Sequence, residues 1–230
     1  MYMNYFSNVL HLFFPKICIT CNAALLTLEK LICTSCRHDL PIIRFSSFKN
    51  NTIKNTFLGR LPIEKAGSFL MYRKLGKTKA LIHHLKYKGQ QEIGSLLGYW
   101  FGNILQESGE FNDIDCIVPV PLYKKKIKQR GYNQVTSFGK ALAQELKCEY
   151  IPNILIRASA SKTQTFKQRF ERFHNIQTTF KLTNRNTFKN KHVLLVDDVI
   201  TTGATLEACC KELLQTKNLK ISFVTIAYTE

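Results

Sequence analysis

VLLVDDVITTGAT, residues 193–205, is the stretch that decides the fold of this chain. It opens with four apolar residues that do not alternate with polar ones, a pattern typical of a strand covered on both faces in a parallel sheet. We therefore predict a central strand over residues 193–196, followed by Asp197 and Asp198 at its carboxyl end, where open α/β sheets bind their ligands. Adjacent carboxylates repel one another, so this pair indicates an electropositive or hydroxyl-rich partner.

A loop of small polar residues follows the two carboxylates, and a helical pattern begins near its end. The loop residues are Thr201, Thr202, Gly203, Ala204 and Thr205. Hydroxyls, backbone amides and a helix N-terminus favour a bound anion, and a carboxylate can bridge two neighbouring hydroxyls. Together these features predict a site for a ribose that carries a 5′-phosphate. The alternative is that the carboxylates only end a strand and the loop is a plain turn.

Two Cys-x-x-Cys pairs near the N-terminus predict a structural zinc site. The four residues are Cys18, Cys21, Cys33 and Cys36. Each pair can turn two thiolates to one side, and two pairs complete a tetrahedron around Zn²⁺ with no position left for catalysis. Disulfides are disfavoured because no secretion signal is visible, and a redox pair needs only one such motif.

Composition and charge set the domain organisation and the class of partner. A chain of 230 residues accommodates one α/β domain with a small appendage, and we place the zinc unit with its N-terminal helix and polar linker at 1–56 and the α/β domain at 57–230. The linker is the polar stretch 46–56. The net charge of +17 favours polyanionic partners such as nucleic acid. No window matches a membrane span, and we interpret the apolar segment 5–14 as an amphipathic helix of a cytoplasmic protein.

A second strand-helix unit carries the strongest run of positive charge. We predict a first strand over 66–72, helices over 77–87 and 91–106, and a second strand from Cys116 that ends in a stiff Pro-Val-Pro loop. The basic residues that follow are Lys124, Lys125, Lys126, Lys128 and Arg130. Such a run is either a solvated face or a contact for pyrophosphate or nucleic acid. Residues 157–175 lack a clear period in their first half and are predicted to be a mobile lid.

Residues 193–205 resemble the phosphoribosyl pyrophosphate (PRPP) motif of type I phosphoribosyltransferases. The cysteine pairs, His-Leu-Lys-Tyr-Lys-Gly at 84–89, Val-Pro-Val-Pro-Leu at 118–122, Arg-Gly-Tyr-Asn-Gln at 130–134 and Glu-Arg-x-x-Asn at 171–175 occur with it in order. With these motifs the chain resembles the ComF family, which is linked to bacterial competence and DNA uptake. It departs from the family pattern in the lid, at residues 162–165 and 167.

The resemblance implies a parallel phosphoribosyltransferase-like sheet flanked by helices that binds PRPP with Mg²⁺. It places the ribose hydroxyls on Asp197 and Asp198, and the phosphate on residues 201–205 with Pro119, Val120 and Pro121 nearby. Lys162 and Arg130 would assist the departure of pyrophosphate, which completes a catalytic set with the two carboxylates. The implied partners are single-stranded DNA, which the basic run would contact, and a helicase-like uptake protein. A biosynthetic enzyme that transfers ribose 5-phosphate to an amine or nucleobase is the alternative.

Overall fold

Five parallel strands form the central sheet. The computed structural model describes residues 15–157 and 180–229. The strands in chain order are β1 (Ala66–Met71), β2 (Cys116–Pro119), β3 (Glu149–Tyr150), β4 (Leu155–Arg157), β5 (Phe180–Leu182), β6 (His192–Ile200) and β7 (Lys220–Tyr228). The main sheet has the order β1-β7-β6-β2-β3, whereas β4 and β5 pair antiparallel in a separate two-stranded sheet. The central parallel strand predicted from the apolar run is confirmed as β6.

Helices cover both faces of this sheet. They are α1 (Thr34–His38), α2 (Thr52–Asn55), α3 (Lys77–Tyr87), α4 (Glu92–Glu107), α5 (Lys124–Arg130), α6 (Thr136–Glu145) and α7 (Ala204–Leu213). Side chains of β6 alternate between two cores: Leu194 and Val196 lie in the cluster with α3, α4 and α6, and Val193 and Leu195 lie in the cluster with α7. Burial on both faces explains why this strand has no polar alternation.

The N-terminal unit packs on the same core as the sheet. Cys18, Cys36 and Leu40 belong to the apolar cluster that contains Phe69 and Phe101. The segment 46–56, which the sequence suggested as a linker, lies against β1, because the buried Phe48 ring occupies the space left by the missing side chain of Gly67. Residues 15–56 are therefore fixed to the α/β domain by packing as well as by the chain.

Two segments that the sequence analysis singled out lie outside the described residues. They are the N-terminal segment 5–14 and the lid with Lys162, which falls in the interval 158–179. Within the two described ranges, no helix combines the length and the apolar character that crossing a bilayer requires.

Candidate phosphoribosyl site and cysteine centre

Asp197 and Asp198 lie on β6 just beyond the point where its pairing with β2 ends. β2 pairs with β6 only as far as Val196, whereas β7 pairs with it through Ile200. The predicted end of the strand at residue 196 is therefore wrong by four residues, because β7 continues to satisfy its backbone. Asp197 and Asp198 lie on the part of the strand beyond its last pair with β2, at the carboxyl end of the sheet where α/β proteins bind their ligands.

Asp198 is buried and joins two distant sequence motifs. Its Oδ2 accepts a hydrogen bond of 2.6 Å from the Nε2 of Gln134 and lies 2.7 Å from the Nζ of Lys86. Arg130 donates in turn to the Oε1 of Gln134 at 2.7 Å. The motifs at 84–89 and 130–134 therefore meet at one carboxylate. Arg130 reaches Asp198 only through Gln134, which makes it a positioning residue in this geometry.

Asp197 has an unusual proton affinity. Its Oδ1 accepts the backbone N–H of Asp198 at 2.8 Å. Burial, followed by the charge of Asp198, raises the pKa of Asp197 to about 8, although that hydrogen bond and the charges of Lys86 and Arg157 oppose the rise. At neutral pH Asp197 is therefore largely protonated. A ligand that needs both carboxylates ionised must displace the proton from Asp197.

The predicted phosphate loop forms the N-terminus of α7. Gly203 is the N-cap, with a φ of 75°, and Thr201, Thr202 and Ala204 are exposed. A Cβ at Gly203 would lie 2.5 Å from the Cζ of Phe57, so only glycine fits both the backbone and the space. The N-cap makes no side-chain hydrogen bond, and the N–H of Ala204 makes only a long one of 3.4 Å to the Oγ1 of Thr202, so this helix end could bind a phosphate.

A cavity of about 470 Å³ opens beside Asp198 and the loop. Its lining includes Tyr72, Lys79, His83, Lys86 and Tyr87, which the sequence analysis did not assign to the site. Most of them lie on one face of α3, at the three- and four-residue spacing of a helix. One signal pointed to them: residues 65–91 contain seven lysines and arginines and no acidic residue. The cavity is therefore positively charged on its α3 side and carries Asp198 on the other.

The remaining residues predicted for the site lie in the Pro-Val-Pro loop at the end of β2 and on helix α5. Pro119 ends β2, and the N–H of the buried Val120 already donates to the carbonyl oxygen of Val196 at 2.8 Å. Helix α5 has no buried residue, and Lys124, Lys125, Lys126 and Lys128 are all exposed on it. The structure thus places the basic run on the surface, with its last residue, Arg130, turned towards Gln134.

The four cysteines form a compact cluster. All four Sγ atoms lie within 4.8 Å of one another, and those of Cys21 and Cys33 are 3.7 Å apart. A tetrahedral zinc tetrathiolate requires sulfur–sulfur distances of about 3.8 Å, so the cluster could hold this metal. Burial raises the pKa of the Cys18 thiol, but hydrogen bonds from the Thr20 hydroxyl and the N–H of Cys33 bring it down to about 6. The centre thus supplies at least one ready thiolate.

Comparison with known proteins agrees with this geometry. The family model described as the phosphoribosyl transferase domain matches residues 136–229. Competence protein F of Haemophilus influenzae is 38% identical over 135 residues, which are 57% of this chain and 59% of that protein. The DNA utilization protein YhgH of Escherichia coli is 30% identical over 138 residues, 59% and 60% of the two chains. The chain thus spans about 60% of the length of these relatives.

A more distant relative covers more of the chain. Competence protein ComFC of Bacillus subtilis is 25% identical over 203 residues, which are 87% of this chain and 78% of that protein. Among solved structures, glutamine PRPP amidotransferase from Bacillus subtilis is 15% identical, with a TM-score of 0.40 over 61% of this chain and 30% of the other. The parallel sheet, the matched domain and the named relatives agree, and together they support a ComF-like family of type I phosphoribosyltransferases for this chain.

Proposed function

We propose that this chain binds PRPP together with Mg²⁺ and acts in competence-related DNA uptake. The observation that carries the proposal is the placement of Asp197 and Asp198 on β6 beyond its last pair with β2, directly before the exposed loop and the N-terminus of α7. The two carboxylates would accept hydrogen bonds from the ribose 2′- and 3′-hydroxyls. The amides and hydroxyls of residues 201–205 would hold the 5′-phosphate.

The cations of α3 suit the pyrophosphate end of the same ligand. Lys79 and Lys86 line the cavity that adjoins Asp198, and His83 lies between them in sequence. Mg²⁺ bound with PRPP would neutralise further charge on the departing group. In a transfer reaction the anomeric C–O bond breaks, pyrophosphate leaves with the electron pair, and the acceptor's lone pair forms the new bond. Lys162 remains a proposed lid donor to that leaving group.

Single-stranded DNA is the second proposed ligand. The exposed lysines of α5 form a basic helix without a buried residue, as expected of a surface that contacts phosphates rather than a core. The names of the relatives, competence protein and DNA utilization protein, indicate the same class of partner. A helicase-like uptake protein stays a prediction of the resemblance, and a cytoplasmic location stays a prediction from the sequence.

Zinc is the metal that we propose for the cysteine centre. The fit of four sulfur ligands to a tetrahedron supports it, since soft thiolates favour Zn²⁺ over Mg²⁺. Four protein ligands close the coordination shell, so this metal would act on structure and not on PRPP.

Isothermal titration calorimetry with PRPP and MgCl₂ tests the PRPP proposal. We expect Asp197→Asn and Asp198→Asn to weaken binding at least tenfold, because each removes a charged acceptor worth about 1.5–3 kcal/mol. Glu107→Gln, a carboxylate change at the end of α4, is the matched control and should bind as the parent does. Unchanged affinity in both aspartate variants would overturn the assignment.

Transfer itself is tested by pyrophosphate release. An active biosynthetic enzyme releases pyrophosphate only when its nucleobase or amine acceptor is present, and the Asp198→Asn variant should lose that release. A panel of nucleobases and amines that gives no release, in a protein that binds PRPP, supports a binding or regulatory use of the site.

A further inference from the structure

We propose that His83, Tyr87 and Arg130 form a base-stacking site for single-stranded nucleic acid at the mouth of the PRPP cavity. The rings of His83 and Tyr87 have centroids 5.2 Å apart, and the guanidinium carbon of Arg130 lies 5.1 Å from the Tyr87 centroid. Tyr87 is 62% exposed despite its size. The inference rests on the DNA-binding part of the proposed function and locates where a base would be held.

One member of this group, Arg130, is hydrogen-bonded to the protein behind it, and a further bond fixes the neighbouring helix end. Arg130 donates to Gln134, which donates to the buried Asp198, so the guanidinium has a fixed partner on the protein side. The hydroxyl of Tyr132 donates to the carbonyl oxygen of Leu85 and ties the end of α5 to α3. A stacking platform fixed in this way loses little side-chain freedom when a base binds to it. Every base offers a π-face, so such a platform accepts single strands of any sequence.

The charges around the row suit a phosphate backbone. Helix α3 and helix α5 contain no acidic residue. The same holds for the wider sequence intervals 65–91 and 116–144, which together carry thirteen lysines and arginines. The aromatic row lies where these two basic helices meet. A single strand stacked there would have cations on both sides, which is the combination that binds such strands without sequence preference.

A purely structural role explains these residues less well. An exposed tyrosine on a helix is common when it covers a neighbouring apolar surface. Tyr87, however, stays 62% exposed although the Arg130 guanidinium carbon and the His83 ring lie 5.1 Å and 5.2 Å from its centroid, and His83 itself is exposed. The arrangement leaves aromatic surface available to a ligand.

The stacking site and the PRPP cavity share residues. His83, Lys86 and Tyr87 line the cavity in which Asp198 also lies. A nucleotide stacked on Tyr87 would bring its phosphates near the same lysine that the pyrophosphate of PRPP would use. Each ligand should therefore weaken the other, and the coupling must be equal in both directions.

Fluorescence anisotropy with a labelled oligo(dT) of about 12 nucleotides tests the site, since single-strand sites span roughly 4–16 nucleotides. We expect Tyr87→Ala to weaken binding about tenfold at constant salt, and Tyr87→Phe to bind within about twofold of the parent, because base–aromatic stacking contributes roughly 1–3 kcal/mol. Tyr99→Ala, which removes an exposed tyrosine from α4, is the matched control and should bind as the parent does.

The salt dependence of the binding constant distinguishes base stacking from phosphate contacts. Tyr87→Ala should leave the slope of log K against log salt unchanged, whereas Lys128→Met should lower its magnitude by about 0.7 for one lost phosphate contact. Thermal melting of each variant checks that it is folded. A duplex of the same length, whose bases are already stacked, should not distinguish Tyr87→Ala from the parent.

Two results would overturn the inference. One is equal affinity of Tyr87→Ala and Tyr99→Ala for oligo(dT), and the other is failure of Tyr87→Phe to restore binding in a folded protein. If the parent binds oligo(dT) and either result is found, only the stacking site fails. If the parent binds no oligo(dT), the DNA-binding part of the proposed function fails with it, while PRPP calorimetry on the same preparation tests the other part independently.

Discussion

Replacement of Gly203 by alanine should disturb the phosphate loop in a way that the structure makes measurable. Gly203 has a φ of 75°, and an added Cβ would lie 2.5 Å and 2.8 Å from two ring carbons of Phe57. The positive φ costs a residue with a side chain about 1 kcal/mol. Phe57 is almost fully buried and packs edge-on against Phe223 with centroids 4.9 Å apart, so the ring has little room to retreat.

The cost of the positive φ and the cost of the contact with Phe57 add to give the expected loss of stability. Overpacking of a rigid site costs about 1–3 kcal/mol, so Gly203→Ala should lower the free energy of unfolding by about 2–4 kcal/mol. Gly109→Ala is the matched control, because Gly109 has a φ of 68° and open space where its Cβ would stand. That variant should lose only about 1 kcal/mol, the backbone contribution. The difference between them isolates the contact with Phe57.

Urea denaturation followed by circular dichroism measures both variants. The double variant Gly203→Ala with Phe57→Leu tests the origin of the loss, since the smaller side chain should recover part of the difference between the two glycine variants. PRPP affinity provides a second readout, because a displaced loop would misplace its amides, and we expect Gly203→Ala to weaken PRPP binding where Gly109→Ala does not. Equal unfolding free energies for the two alanine variants would refute the argument from the Phe57 contact.

Three further predictions concern titratable and metal-binding groups. Burial lowers the pKa of His192 despite its partner Asp113, so the unfolded chain binds the proton at a higher pH than the folded chain does. The free energy of unfolding should therefore fall as the pH drops below about 6.5. Urea titrations should show a smaller fall in His192→Asn. Metal analysis should find about one zinc per chain, reduced in Cys33→Ser but not in Cys148→Ser. At pH 7, PRPP binding should release close to one proton from Asp197, as calorimetry in buffers of different ionisation enthalpy would show; no release would contradict the proposed carboxylate role.

The sequence predicted those parts of the fold that depend on local pattern. The apolar run at 193–196, which has no polar alternation, lies in β6. Residues 77–87, which have helical spacing, form α3 with the predicted bounds. The cysteine pairs converge because a knuckle is a local structure that each pair forms by itself. In each case, neighbouring residues are sufficient to specify the geometry.

The parts that the sequence did not predict depend on contacts between distant segments. The extension of β6 past Val196 depends on how far β7 continues beside it. The segment 46–56 has a polar composition, yet Phe48 and Ile53 anchor it, and the space for Phe48 exists only because residue 67 is glycine. Lys86 and Asp198 form an ion pair although they lie 112 positions apart in the sequence, and no local pattern indicates that pair.

The position of α3 links the cysteine centre to the proposed ligand site. At its N-terminal end, the Nζ of Lys77 lies 2.8 Å from the Oδ2 of Asp39, the residue that follows α1 and its cysteine. At its C-terminal end, the same helix presents Lys86 to Asp198. A helix is stiff over this length, so α3 is a structural connection between α1 and the cavity. A metal bound by the four cysteines would therefore be connected to the proposed ligand site through α3, without contacting the ligand.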